Sequence, residues 1–236
     1  MAHISRRNPL ALMVLCTLWE MPTHPYQLVQ TLKGRQKDKA ARLNYGSLYT
    51  VIANLENAGL VEAVEVTKAG NLPPRTTYRV TDAGITELND WLSSLIADPE
   101  PEIPQFMTAL SILPALPVDQ AVTLLGRRVE ALRQTLNMMS VHRDASQAAI
   151  PELFSIESRY AAVMTRAELE FTLQLIKEIE DGSLGGIDIW QAMQQTLRDG
   201  RPDQGAMAAA FERAGFGAVA GMYRQDEPSP GAPTGN

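Results

Sequence analysis

Residues 46–61 read Gly46-Ser47-Leu48-Tyr49-Thr50-Val51-Ile52-Ala53-Asn54-Leu55-Glu56-Asn57-Ala58-Gly59-Leu60-Val61, and this stretch decides the fold. Leu48, Val51, Ile52 and Leu55 recur at the spacing of three and four that is typical of a helix with one buried face. The opposite side is small and uncharged. We expect the helix to end at Gly59, because glycine tolerates the left-handed conformation that closes many helices. Such a narrow helix can approach base edges in a major groove of DNA.

The segments around this helix predict a winged helix-turn-helix domain over residues 1–96. Asn8 is expected to cap a first helix over residues 9–20, and a turn at residues 21–25 leads into a second helix. Residues 60–66 and 76–80 are β-branched or alternate in polarity, which predicts two strands. The turn-rich segment 67–75 between them is expected to form a protruding hairpin loop.

A fourth helix and a linker are predicted to follow the winged domain. Four apolar residues of this helix recur at spacings of three and four, which is typical of a contact between helices. We predict that they contribute to dimerisation, and they are Ile85, Leu88, Leu92 and Leu95. Residues 97–104 are proline-rich and acidic, as expected of a stiff linker.

Residues 105–200 are predicted to form a helical dimerisation domain that also offers room for an effector. An alternating spacing of four and three predicts a long helix in an antiparallel or intermolecular pair, with dimerisation contacts from Val122, Leu125, Val129 and Leu132. The next helix, over residues 154–181, has an apolar stripe so wide that more than one neighbour must bury it. Residues 201–236 form an Ala/Gly-rich tail, in which 204–223 is either a docked helix or a loose segment and the end is expected to be disordered.

Charge is distributed unevenly along the chain. The 236 residues carry a net charge of −6, yet residues 1–80 hold ten Lys or Arg against five Asp or Glu. The remainder holds eleven basic and twenty-two acidic residues. Because contacts to phosphates need local positive charge, only the first third is expected to lie on DNA.

The N-terminus bears a shallow likeness to a secretion signal. Arg6 and Arg7 precede an apolar run, but Glu20 and Pro22 interrupt it and no small-residue cleavage site follows. We therefore expect a first core helix and a cytoplasmic protein without a membrane segment. The single cysteine, Cys16, cannot form an internal disulfide and is expected to be a small buried residue of that helix.

Five fragments are informative when taken together: residues 9–15, His24-Pro25-Tyr26-Gln27-Leu28, Gly46-Ser47-Leu48-Tyr49, residues 55–61 and Tyr78-Arg79-Val80-Thr81-Asp82-Ala83-Gly84. With the order of the elements, these fragments resemble the PadR family of bacterial transcription regulators over about residues 8–95. Pro25 replaces the glycine that is usual in the family, and Asn44-Tyr45 stands where a serine and a proline are common. The helical C-terminal part is similar, more loosely, to the longer members, which include phenolic-acid repressors and virulence-gene activators.

The resemblance implies a homodimer that presents two winged helices to a pseudo-palindromic operator in double-stranded DNA, with affinity from phosphates and discrimination from base edges. For Tyr26, a position in the core is as credible as a contact to a phosphate. Asn44 and Tyr45 either contact the DNA backbone or cap the third helix. For Lys68 and Arg75, the alternative to a DNA contact is a solvated loop. The candidates for DNA contact are Tyr26, Asn44, Tyr45, Ser47, Tyr49, Thr50, Asn54, Lys68 and Arg75.

An effector site is a further expectation, since aromatic and methionine side chains can line a cavity between helices. Core packing is the more common role of such residues, and the candidates are Phe106, Met138, Tyr160, Met164 and Trp190. No catalytic, cofactor or metal motif stands out, because the three histidines share no ligand spacing and Cys16 has no nearby base. We expect a repressor that responds to a small molecule rather than an enzyme. The alternative is an adaptor that binds a protein through its helical domain and tail.

Overall fold

The computed structural model describes residues 8–35, 37, 45–67, 75–99, 101–146, 151–198 and 204–223. It divides into two compact units, Met1–Glu102 and Ile103–Asn236, and this division falls inside the segment 97–104. Within the described ranges, no helix has both the length and the apolar character needed to cross a membrane.

The first unit contains four helices and a hairpin within its described residues. Each of three helix starts is closed by a side chain that accepts a backbone N–H, which satisfies a donor that the helix itself leaves unpaired. The caps are Asn8 Oδ1 for Leu10, His24 Nδ1 for Gln27 and Thr81 Oγ1 for Gly84, each at 3.1 Å. The elements are α1 (Pro9–Glu20), α2 (Pro25–Gly34), α3 (Tyr45–Asn57), β1 (Val61–Thr67), β2 (Arg75–Val80) and α4 (Asp82–Ala97).

The core of this unit buries the apolar stripe of α3, as the sequence predicted. Leu48 and Leu55 are fully buried against side chains of α1, α2 and α4. Leu88 and Trp91 of α4 belong to the same core. This corrects the prediction that Leu88 lies in a dimer seam, because its side chain is already packed inside its own chain. Ile85 is half-buried, whereas Leu92 and Leu95 remain exposed.

The hairpin is antiparallel and pairs Val61 with Val80 at one end and Thr67 with Arg75 at the other, with a bulge between Ala63 and Glu65. The sequence predicted only a turn at residues 21–25, but Thr23 bridges to Tyr78 through two backbone hydrogen bonds of 2.9 and 3.0 Å. The turn before α2 is thereby fixed to the wing strand.

The start of α4 is joined closely to the end of α3. Gly59 has a φ of 73°, in the left-handed region, and Thr81 donates its hydroxyl to the Gly59 carbonyl at 2.7 Å. The same hydroxyl accepts the N–H of Gly84. Gly84 packs so tightly that a Cβ there would lie 2.0 Å from the carbonyl oxygen of Leu60. Only glycine fits this crossing without a backbone shift.

Cys16 departs from expectation, since it is exposed on α1 rather than buried. Its side chain is still partly desolvated, and this desolvation together with the Glu20 carboxylate raises the pKa of the Cys16 thiol. A raised pKa keeps the thiol protonated and therefore a poor nucleophile at neutral pH.

The second unit is helical throughout its described residues. Two short features that the sequence analysis missed come first, a helix α5 and a 3₁₀ turn at Leu113–Ala115. A second 3₁₀ turn, at Glu152–Ser155, precedes α7. The helices are α5 (Gln105–Ser111), α6 (Val118–Ser146), α7 (Ile156–Glu180), α8 (Ile187–Arg198), α9 (Gln204–Arg213) and α10 (Gly217–Met222).

Helices α6 and α7 form the antiparallel pair that was one of the two alternatives for the long stripe. Leu125 and Val129 are buried, and an Arg128–Glu168 ion pair fixes the pairing of the two helices. The dimerisation role predicted for Leu125 and Val129 is corrected accordingly, because α7 of the same chain takes up this side of α6. Val122 and Leu132 are half-buried on the same stripe.

The tail contains docked helices over residues 204–223, which resolves the alternative that the sequence left open. α9 packs on α8, and its Met207, Ala208 and Ala210 are buried. α10 returns onto α9, where Phe211 and Tyr223 stack with their ring centroids 5.4 Å apart. The predicted disordered end, residues 225–236, lies outside the described residues.

Candidate nucleic-acid interface

Helix α3 presents a continuous polar face to solvent. Its buried side is fully used by the core, so the exposed side cannot rotate inward without emptying that core. The exposed side is uncharged apart from Glu56 at its margin. It consists of Gly46, Tyr49, Thr50, Ala53, Asn54, Glu56 and Asn57.

The predicted contact residues of α3 differ in how available they are. Tyr49 is 57% exposed and Asn54 is also exposed, so both can reach a ligand. The Thr50 hydroxyl donates to the Gly46 carbonyl at 3.2 Å, which leaves its oxygen lone pairs able to accept. Ser47 is half-buried and already engaged within the chain. Tyr49 and Asn54 are thus the more accessible of these side chains, and Ser47 is the less accessible.

Two predicted residues flank α3 on neighbouring elements. Tyr26, on the first turn of α2, is 55% exposed, which favours the surface alternative over the core for this residue. Arg75 is exposed at the start of β2. Asn44 and Lys68 lie outside the described residues, and of Tyr45 only the helical backbone is described.

Charged side chains around the interface are partly neutralised inside the unit. Arg35 pairs with Glu20 at 2.6 Å, an interaction that raises the pKa of Arg35 and joins the ends of α1 and α2. Arg79 pairs with Glu62 across the hairpin at 2.6 Å. Burial first, and then the nearby Glu56 carboxylate, raise the pKa of the Tyr78 hydroxyl.

Most of the first unit matches a known protein family. Residues 14–90 match the family described as "Transcriptional regulator PadR-like family". The first unit is a PadR-like domain. The resemblance inferred from the sequence is thereby confirmed, as is the fold class, mainly α with an N-terminal winged helix-turn-helix followed by a helical part.

Solved structures share the fold of the PadR-like domain and part of the helical unit. The chain is 17% identical to Bacillus subtilis PadR in complex with operator DNA, with a TM-score of 0.59 over 72% of this chain and 99% of that chain. The same protein in complex with p-coumaric acid is 16% identical, with a TM-score of 0.61 over 72% of this chain and 98% of that chain. The PadR-like regulator BC1756 from Bacillus cereus is 15% identical, with a TM-score of 0.53 over 73% of this chain and 99% of that chain. At these identities the likeness is one of fold alone. No curated protein matches the chain.

The residues predicted for an effector site differ in their burial within the second unit. Trp190 is buried in the core of the second unit, where its Nε1 donates to the Leu116 carbonyl at 2.8 Å. Phe106 packs against the same core, under the guanidinium of Arg128. Met138, Tyr160 and Met164 are exposed instead. Phe106 and Trp190 thus follow the core-packing alternative, whereas an effector role for the three exposed residues stays a prediction.

The described part of the chain offers no group of three or more His, Cys, Asp or Glu side chains that could hold a metal ion. The contribution of Thr23 was missed because a single bridging residue carries no strand pattern in the sequence. The packing of Gly84 was missed for a similar reason, although its place three residues after the capping Thr81 was visible.

Proposed function

We propose that this chain is a homodimeric transcription regulator that binds a pseudo-palindromic operator through α3 and acts as a repressor that a small molecule releases. The observation that carries the proposal is the exposed polar face of α3, held outward by a fully buried opposite side. Side-chain amides such as that of Asn54 can read adenine in the major groove, since they both donate and accept. The uncharged surface lets the helix approach the bases without a desolvation penalty from buried charge.

Phosphate contacts are expected to come from the residues around α3. Both Tyr26, on α2 before this helix, and Arg75, at the start of β2 in the hairpin after it, are exposed. We propose that Asn44, Tyr45 and Lys68 act with them. Phosphate contacts fix the position of the domain, whereas the α3 contacts select the sequence.

Dimerisation is supported by apolar side chains that a monomer would leave in water. On α4, Leu92, Leu95 and Ile96 are 44%, 54% and 78% exposed. On α7 a second stripe recurs at helical spacing and stays exposed, and it comprises Ile156, Tyr160, Val163, Met164 and Phe171. Contiguous apolar patches of this kind mark protein interfaces. We propose that both faces contact the second subunit, which gives Tyr160 and Met164 a role in assembly rather than in an effector site.

The dimer is tested by light scattering coupled to size-exclusion chromatography. Val163→Glu places a charge in the α7 stripe and is expected to yield a monomer, because an unpaired carboxylate would be buried at the contact. Val66→Glu is the matched control, since Val66 is 65% exposed on β1, outside both faces. A native chain that elutes as a monomer at micromolar concentration contradicts the proposed assembly.

Operator binding is tested by selection of sequences from a random DNA library, followed by affinity measurements over a salt series. Asn54→Ala is expected to cost about 1–3 kcal/mol on the selected site and to relax specificity at one position. Asn137→Ala, at an exposed asparagine of α6 outside both proposed dimer faces, should leave the affinity unchanged. Arg75→Gln should weaken binding to all sequences and lower the salt slope by about 1. No enriched sequence, or equal effects of Asn54→Ala and Asn137→Ala, would refute recognition through α3.

The response to a small molecule is proposed by analogy with Bacillus subtilis PadR, which has been solved both with operator DNA and with p-coumaric acid. An adaptor function retains one observation in its favour, since Phe216 and Met222 are 54% and 73% exposed on the tail. Transcript levels in a deletion strain separate repression from activation. A deletion that changes no transcript, combined with failure of the DNA selection, favours the adaptor.

A further inference from the structure

The second unit contains a cavity of about 580 Å³ bounded by three helices. It lies where the start of α6, the end of α7 and the second half of α8 meet. Val118, Val122 and Ile179 supply the apolar part of its wall. A volume of this size is within the range of small-molecule sites, which is about 300–1,000 Å³. None of the five residues that the sequence suggested for an effector lines it.

The polar part of the wall is held in place by hydrogen bonds from α8. Gln194 lines the cavity and is 6% exposed, and its Nε2 donates to the Pro114 carbonyl at 2.6 Å. The neighbouring Trp190 is fixed to Leu116 in the same way. Gln191 and Gln195 add two further amides from the same helix. The two hydrogen bonds hold α8 and the Gln194 side chain in place, so at least one amide of the wall is preorganised, while Gln191 and Gln195 are exposed at its rim.

The charge of the cavity is negative. Asp119 and Glu180 line it, and none of its eight described lining residues is basic. Asp119 has an ordinary explanation, since a carboxylate in the first turn of α6 stabilises that helix. Glu180 is exposed to solvent. It is the last residue of α7, where the negative end of the helix dipole disfavours a carboxylate.

The nearest cation in the sequence does not offset this charge within the cavity. Lys177 lies one turn before Glu180, is exposed and does not line the cavity. It acts instead on Asp181, whose pKa is lowered first by its hydrogen bonds with Ser183 and then by Lys177. A positive ligand group would therefore meet two carboxylates and the carbonyl end of α7.

We propose that this cavity binds a small organic cation, a primary amine joined to a short apolar body. The ammonium lies between Asp119 and Glu180, the glutamine amides accept its remaining hydrogens, and the apolar body covers Val118, Val122 and Ile179. An organic anion is excluded from this site by the same charges. That the amine acts as an effector of operator binding rests on the proposed function, whereas the binding itself does not.

The test uses the full-length chain without DNA and three probes of similar shape, which are phenethylamine, phenethyl alcohol and hydrocinnamate. Isothermal titration is expected to show saturable binding of the amine at one site per chain. The alcohol should bind roughly tenfold more weakly, a difference of about 1.4 kcal/mol, and the carboxylate should not bind. Equal binding of all three probes, or no saturable binding of the amine at millimolar concentration, overturns the proposal.

Charge variants locate the site. Glu180→Gln should weaken amine binding severalfold and Asp119→Asn/Glu180→Gln should remove the preference for amine over alcohol. Glu170→Gln is the matched control, since Glu170 is also an exposed glutamate of α7 but does not line the cavity. If Glu170→Gln weakens amine binding as much as Glu180→Gln does, the ligand binds elsewhere and the assignment of this cavity is refuted. Operator affinity is measured separately, so that a chain that binds amine but no DNA contradicts the proposed function alone.

Discussion

Replacement of Gly84 by alanine tests the tight packing of the start of α4 against Leu60 and Val80. A Cβ at this position would lie 2.0 Å from the Leu60 carbonyl oxygen and 2.7 Å from Val80 Cγ2. To reach even 3.0 Å from that oxygen, the start of α4 must move away from Leu60 by at least 1 Å. The carbonyl belongs to the backbone and cannot rotate out of the way.

The expected cost follows from two opposing effects. Overpacking of a tight site costs about 1–3 kcal/mol, and here the upper part of that range applies because the obstacle is backbone. Alanine is a better helix former than glycine by about 1 kcal/mol, which offsets part of the cost. We expect a net loss of about 2 kcal/mol in the free energy of unfolding of the first unit.

Gly126 provides a control of the same chemistry. It lies within α6, and a Cβ there would meet nothing within 4 Å. Gly126→Ala should therefore stabilise the second unit by about 0.5–1 kcal/mol. Urea unfolding gives the total effect, and hydrogen exchange with mass spectrometry assigns it to a unit. If Gly84→Ala is as stable as the native chain, or if both variants change stability in the same direction, the packing argument fails.

Three further predictions concern single side chains. His24→Ala should destabilise the first unit by about 1 kcal/mol through loss of the α2 cap, whereas His24→Asn should retain most of the stability in thermal unfolding. Thr81→Val should cost about 2 kcal/mol in urea unfolding, because it removes both the α4 cap and the bond to Gly59, and Thr81→Ser should be nearly neutral. Cys16 should react with iodoacetamide more slowly at neutral pH than a small-molecule thiol, since its pKa is raised. A reaction faster than that of the free thiol would contradict this.

The winged fold was largely readable from the sequence because its signals are local. The α1 bounds, residues 9–20, follow from Asn8 and Pro9, and the buried side of α3 follows from helical spacing. Both strands were predicted within one residue of their observed bounds. These features depend on neighbours in the chain, which a sequence displays directly.

The rest depended on contacts that no spacing reveals. A helical stripe shows that a face is buried but not which helix buries it, so Leu88 and Leu125 were assigned to a partner although their own chain covers them. Phe106 and Trp190 were grouped with Met138 as candidates for one effector site. Whether these side chains lie close together depends on how the helices pair, which the sequence does not show. The cavity on α8 escaped prediction because glutamines at helical spacing normally indicate a solvated face.

The edge of β1 has a consequence for the behaviour of the protein at high concentration. Val64 and Val66 are exposed on a strand that has one partner among the described residues, a pattern that invites strand addition from another molecule. The irregularity between Ala63 and Glu65 twists the strand at this point and disrupts the ladder that an incoming strand would need. The bulge between Ala63 and Glu65 therefore disfavours the addition of a strand from another molecule at this edge of the hairpin.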